Sequence, residues 1–161
     1  MLKGVFRRIF PALLAALLTL SACGDGTGDA QGGAAGLAVT DAWVKATDMN
    51  MSAAFAVLSN SGDEDVEIVG VTTDLTDRAE IHETADGAMR PVESVTIPAG
   101  ESLRLEPGGD HLMLMDLTDP IEPGQEVELT LELGDGSTFD ITATAKDFAG
   151  GAEDYEGGKG H

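Results

Sequence analysis

The sequence predicts an all-β sandwich, and three observations carry that reading. Apolar residues alternate with polar ones at period two in one short run after another, turn-forming residues separate the runs, and no apolar stripe of helical period develops between them. A length of 161 residues suits one domain with tails.

The predicted strands are 38–44, 53–58, 66–71, 79–83, 92–97, 102–105, 111–117, 127–133 and 138–145. Between the second and third stands Asn60-Ser61-Gly62-Asp63, a cluster that favours turns through glycine's freedom and the side-chain acceptors of Asn and Asp. Pro98-Ala99-Gly100 stops the fifth strand, Pro107-Gly108-Gly109 the sixth, and Pro123-Gly124 precedes the eighth. The last two are joined as a hairpin through Gly134-Asp135-Gly136-Ser137. In the eighth, Val127, Leu129, Leu131 and Leu133 alternate with Glu126, Glu128, Thr130 and Glu132, so one face is buried and the other acidic. Phe139, Ile141, Ala143 and Ala145 continue the buried face, and Trp43, Phe55 and Leu58 are assigned to the core from the opposite sheet.

Residues 1–22 read as a secretory signal: Lys3, Arg7 and Arg8 precede an uncharged run from Ile9 to Leu20 that is short for a bilayer span. The run closes on Leu20-Ser21-Ala22-Cys23, which resembles the bacterial lipoprotein box, and the resemblance implies cleavage before Cys23 and lipidation of its thiol. Residues 23–36 then form the lipidated cysteine and a Gly-rich tether, 37–148 the domain, and 149–161 an acidic, Gly-rich tail expected to be disordered. The expected location is outside the cell's cytoplasm, on the outer face of the cytoplasmic membrane or in a periplasm, with the lipid as the only membrane contact.

Charge narrows the partners. Nine Lys and Arg stand against 29 Asp and Glu, a formal −20. Without Lys3, Arg7 and Arg8 six bases remain against 29 acids, a formal −23. A chain so poor in cations cannot neutralise a phosphate backbone, which excludes nucleic acid. The acidic surface reads either as a solvated coat or as a means of steering cations. One cysteine excludes an intrachain disulfide and any Cys-rich zinc site.

The chemistry is concentrated between Ile81 and Leu117, which holds two of the three histidines and three of the six methionines. In His111-Leu112-Met113-Leu114-Met115, strand alternation puts the imidazole and both thioethers on one face and the leucines on the other. Spacing alone favours Met113 and Met115 as core fillers with His111 at the rim. His82 and Met89 flank the stretch 83–88, expected to be a loop able to fold them toward the same point, and buried neutral His82 without a metal is the competing reading. Imidazoles and thioethers together select a soft monovalent ion, copper(I), because polarizable sulfur suits neither zinc, calcium nor magnesium. Met49-Asn50-Met51 follows the first strand and reads as loop or rim methionines, unless a family resemblance brings that loop to the metal end, and His161 reads as an unengaged terminus or a ligand on the tail.

These residues resemble the periplasmic copper chaperones of the PCuAC type, whose signature is a His, a Met some ten residues on, and His-x-Met after a further 21 residues. Here Met89 and His111 are separated by 21 residues and His111-Leu112-Met113 closes the pattern. His82-Glu83-Thr84, Arg90-Pro91-Val92-Glu93, Ile97-Pro98-Ala99-Gly100 and Pro107-Gly108-Gly109 look familial as well. Only six residues lie between His82 and Met89, about four fewer than in the family, so a shortened hairpin presents Met89, or Met115 or Met51 completes the site. The resemblance implies a cupredoxin-like, immunoglobulin-like β sandwich with one copper(I) ion at His82, Met89, His111 and Met113. It implies transfer rather than catalysis, toward the copper subunit of cytochrome c oxidase, with a Sco-type thiol protein as a partner.

A blue-copper electron carrier is a different matter, since it needs a cysteine thiolate and the domain has none. No Ser/His/Asp arrangement, His-rich zinc cluster or phosphate-binding glycine loop supports hydrolysis. The rival from another class is a metal-free immunoglobulin-like surface module for adhesion or assembly, with the acidic face as its contact and the methionines as packing.

Overall fold

The computed structural model describes residues 36–148. The signal, Cys23, the tether before Gly36 and the tail carrying Tyr155 and His161 lie outside the described residues. Ten strands follow in order: β1 (Leu37–Lys45), β2 (Met51–Asn60), β3 (Val66–Thr72), β4 (Arg78–Ala85), β5 (Ala88–Pro91), β6 (Val95–Ile97), β7 (Ser102–Leu105), β8 (His111–Met115), β9 (Glu126–Leu133) and β10 (Thr138–Lys146). Among the described residues no helix is long and apolar enough to cross a membrane.

The strands form one hydrogen-bonded path, β5-β4-β8-β2-β1-β10-β9-β3-β6, with β7 pairing β2 beyond the end of β8. β1 runs parallel to β10, and the other pairs are antiparallel. The path curls on itself, so that β3 packs against β4 although five strands separate them along it. Ile81, Leu112 and Leu114 from one half therefore share a core with Ile68, Val71, Leu129, Leu131 and Ile141 from the other. This is the predicted sandwich, and the alternation in β9 and β10 is as read: their apolar residues are buried, while Glu126, Glu128, Glu132 and Asp140 are exposed.

Two corrections follow from the strands themselves. The stretch 83–88 is not a loop: β4 and β5 form a hairpin in which Ala85 pairs with Ala88 across Asp86-Gly87. Both turn residues have positive φ, 55° and 76°, the pairing of a tight turn that matches strand twist. The strand expected at 92–97 is shortened to β6, and Val92 instead donates its N–H to the carbonyl of Ile81, extending the contact of the hairpin.

Trp43 and Phe55 also leave the main core. In β1, Leu37 is buried and Val39 packs on the core, but after an irregularity between Thr40 and Trp43 it is Ala42 and Val44 that face inward. Asp41, at φ 53°, absorbs the slip, and one extra residue turns every later side chain over. Trp43 thus points outward beside Phe55, ring centroids 4.5 Å apart. Leu58, three residues from Phe55 on the same strand, faces the other way and is fully buried in the main core.

A buried asparagine ties the far end together. Asn60 donates its Nδ2 to the carbonyls of Glu64 and Ile97 and accepts the Gly62 N–H, which satisfies its amide and fixes the predicted turn after β2.

Candidate metal centre

The outer surface of β8, β2 and β1 carries a second, smaller apolar cluster: Ala53, Phe55 and Met113 are buried, with Trp43, Met51 and Met115 packed against them. Leu112 and Leu114 belong to the main core, so the leucines of β8 do pack inward and its imidazole and thioethers do share the opposite face. His111 is not a rim residue; it is 2% exposed.

Register brings the histidines together. His82 of β4 and His111 of β8 are direct cross-strand partners, with ring centroids 5.7 Å apart. Met113 lies two residues along the same face, opposite Glu80 on β4 and Ala53 on β2. Met89 of β5 pairs with Thr84, which puts it on the face of His82 and two pairs nearer the hairpin tip. The tight Asp86-Gly87 turn is what presents Met89 despite the short loop. Met51 and Met115 oppose each other on β2 and β8, two pairs beyond Met113 and away from the histidines. Met49 is 67% exposed and stands clear of that cluster.

Each imidazole has one nitrogen committed to an acceptor. Nε2 of His82 donates to Oε2 of Glu80 at 3.0 Å, leaving the lone pair on Nδ1, a buried atom with no hydrogen-bond partner. Nδ1 of His111 donates to the carbonyl of Gly109 at 3.0 Å, which leaves the lone pair on Nε2. Ligating histidines characteristically hold their second nitrogen in this way. The same Gly109 carbonyl accepts from the Thr84 hydroxyl at 3.0 Å, so one oxygen joins the His111 ring to the β4–β5 hairpin. It is aimed by a closed loop in which Glu106 N–H bonds the carbonyl of Asp110 and Gly109 N–H that of Glu106, with Gly108 at φ 82°.

Sequence reasoning missed Glu80, Thr84, Gly109 and Phe55, whose ring centroid lies 6.4 Å from that of His111. Glu80 was legible in principle, since residues two apart on a strand share a face. The role of Gly109 was not, because a backbone carbonyl leaves no mark on side-chain pattern. Among the described residues no three of His, Cys, Asp and Glu gather in a form that could hold a metal. A site here must draw on thioethers, and the donor set of two neutral imidazoles and methionine sulfur suits a soft monovalent ion.

The fold and this face define a β-sandwich domain of the PCuAC class. It resembles the copper(I) form of DR1885 from Deinococcus radiodurans, 32% identical, with a TM-score of 0.57 over 69% of this chain and 80% of that one. The apo PCuAC domain of PmoF1 is 25% identical with a TM-score of 0.62, covering 70% of this chain and 95% of that one. Residues 37–145 match the family described as "Putative lipoprotein LpqE-like", and the chain belongs to that family. A relative from Leifsonia xyli subsp. xyli, "Putative lipoprotein Lxx21020", is 42% identical over 127 residues, 76% of each chain.

Proposed function

We propose that this chain is an exported lipoprotein that binds one copper(I) ion through His82, Met89, His111 and Met113 and hands it on without catalysing a reaction. The observation that carries the reading is the facing pair of buried histidines, each with one nitrogen held by an acceptor, on the face that also bears Met113 and Met89. Likeness to the copper(I) form of DR1885 supports the choice of metal. Neutral imidazoles and thioethers hold copper(I) without a thiolate, so the ion survives an oxidising compartment and leaves by stepwise ligand exchange. Met51 and Met115 line the same cluster and serve as auxiliary contacts on that route.

The lipid on Cys23 anchors the domain to the outer face of the cytoplasmic membrane, a reading supported by the lipoprotein family and by the sequence before Cys23. The recipient is the copper subunit of cytochrome c oxidase, reached directly or through a Sco-type thiol protein, as the PCuAC resemblance implies.

A copper(I) competition titration against a colorimetric chelator tests the reading. Wild type should take one equivalent and His111→Ala should lose it. No competition by the wild-type protein at any concentration would remove copper and return the face to the metal-free adhesion or assembly reading.

A further inference from the structure

The outer face of β4 presents Arg78, Glu80 and His82 in succession, and both oxygens of Glu80 are engaged. Oε2 accepts from His82 Nε2 at 3.0 Å, while Oε1 lies 3.8 Å from Nη2 of Arg78. Arg78 is itself held by Asp116, whose Oδ2 accepts from Nη1 at 3.0 Å. The carboxylate is thus fixed from two sides, at the edge of a ring that is almost fully buried.

A neutral imidazole has a single N–H, and its position decides which nitrogen can take a metal. An ionised carboxylate accepts only, so the ring beside it must turn its N–H toward Glu80 and carry its lone pair on Nδ1. That atom is buried and has no hydrogen-bond partner. We propose that Glu80 is a positioning residue that sets the tautomer of His82, so that His82 engages the ion through Nδ1 while His111 engages it through Nε2. The inference rests on the copper(I) reading above and adds to it the nitrogens used and the group that selects one of them.

The two rings face each other as direct partners on adjacent strands, yet they are tied differently. His111 is oriented by a backbone carbonyl, His82 by a side chain. A mutation can therefore release His82 alone. Glu80 is not itself a ligand in this account: a carboxylate is a hard donor ill matched to copper(I), and its Oε2 already accepts from His82.

The test compares wild type with Glu80→Leu and Glu80→Gln in the full chain. Long-range proton–nitrogen spectra of the metal-free protein read each histidine's tautomer, and the chelator competition reads copper(I) affinity. Wild type should show His82 protonated on Nε2. Glu80→Leu should give a mixture of tautomers at His82, leave His111 unchanged and weaken copper(I) by about 10–100-fold, the range for losing the outer partner of a ligating histidine. Glu80→Gln, whose amide oxygen still accepts from Nε2–H, should keep the tautomer and stay within about threefold of wild-type affinity.

The proposal is overturned if wild-type His82 carries its proton on Nδ1, or if Glu80→Leu changes neither tautomer nor affinity. It is equally overturned if Glu80→Gln keeps the tautomer but loses as much affinity as Glu80→Leu, since charge rather than ring orientation would then be the cause. Tautomers are read without metal, so a wild-type protein that failed to bind copper would sink the functional reading and still leave the role of Glu80 decided.

Discussion

Met113 and Leu114 are neighbours in sequence and belong to different clusters, which makes them a sharp pair for separating binding from folding. Leu114 is fully buried in the main core between the two halves of the sandwich. Truncating it to alanine removes apolar contacts and leaves a cavity, at a cost of about 3 kcal/mol. For a domain of this size that lowers the melting temperature by about 10–15 °C. Met113, 3% exposed, belongs to the outer cluster with Ala53 and Phe55 and the half-buried residues around them. Met113→Leu keeps the volume and loses the sulfur, so the metal-free protein should lose less than about 1.5 kcal/mol. Copper(I) affinity should nevertheless fall by at least about 100-fold, the upper end of what an indirect partner costs, because in the proposed site Met113 is itself a ligand. Thermal melts without metal and the chelator competition, run on both variants, give the four numbers needed. Retained copper affinity in Met113→Leu, with apo destabilisation above about 2 kcal/mol, would refute the reasoning and make the thioether a packing group.

Three further outcomes follow from the geometry. Thr84→Val removes one donor from the Gly109 carbonyl, costing about 1 kcal/mol, and should speed amide exchange in the β4–β5 hairpin while the His111 bond persists. Asp41→Val places a β-branched residue at φ 53° and should lower the urea midpoint by about 1–2 kcal/mol of stability, with a shift in the emission of Trp43, the chain's only tryptophan. The Ser137 hydroxyl, and after it the Ser137 backbone N–H, hold the Asp135 carboxyl below the usual aspartate range. A depressed folded-state value means that its contribution is present above the ordinary range and is lost as pH falls through the folded one; Ser137→Ala should raise its titration midpoint by NMR.

How much of this was legible depended on whether the signal lay in side-chain period or in the backbone. Strands β9 and β10 read cleanly because Val127 to Leu133 and Phe139 to Ala145 alternate without a break, and each buries one face. Trp43 departs from the expected core because period two holds only while the register holds, and Asp41 breaks it. The misplacement of Phe55 was avoidable: it and Leu58 are three apart, an odd interval that must send them to opposite faces of one strand. The β4–β5 hairpin is also within reach of the sequence, since Asp86-Gly87 is a strong signal for a two-residue turn inside the stretch 83–88. The His82–His111 pairing was not, because cross-strand register between β4 and β8 depends on which strands become neighbours, and no local pattern specifies that.

The two clusters share β2 as a common wall, and the residues of that wall explain how they stay independent. From Ser52 to Ala56 the strand is buried on both sides, and apart from Phe55 these residues are small, so neither cluster pushes through to the other. On the inner side the main core closes without help from the outer one. On the outer side the histidines take their rigidity from the ladder and from the Gly109 carbonyl, while Met89, Met51 and Met115 remain half-buried. Methionine is the most adaptable apolar side chain, with an unbranched stem that changes rotamer at small cost. A soft ion held between fixed nitrogens and movable sulfurs can exchange one ligand at a time while the nitrogens stay in place. The core would not need to reopen for the ion to arrive or leave, and the proposed hand-over of copper(I) requires that separation.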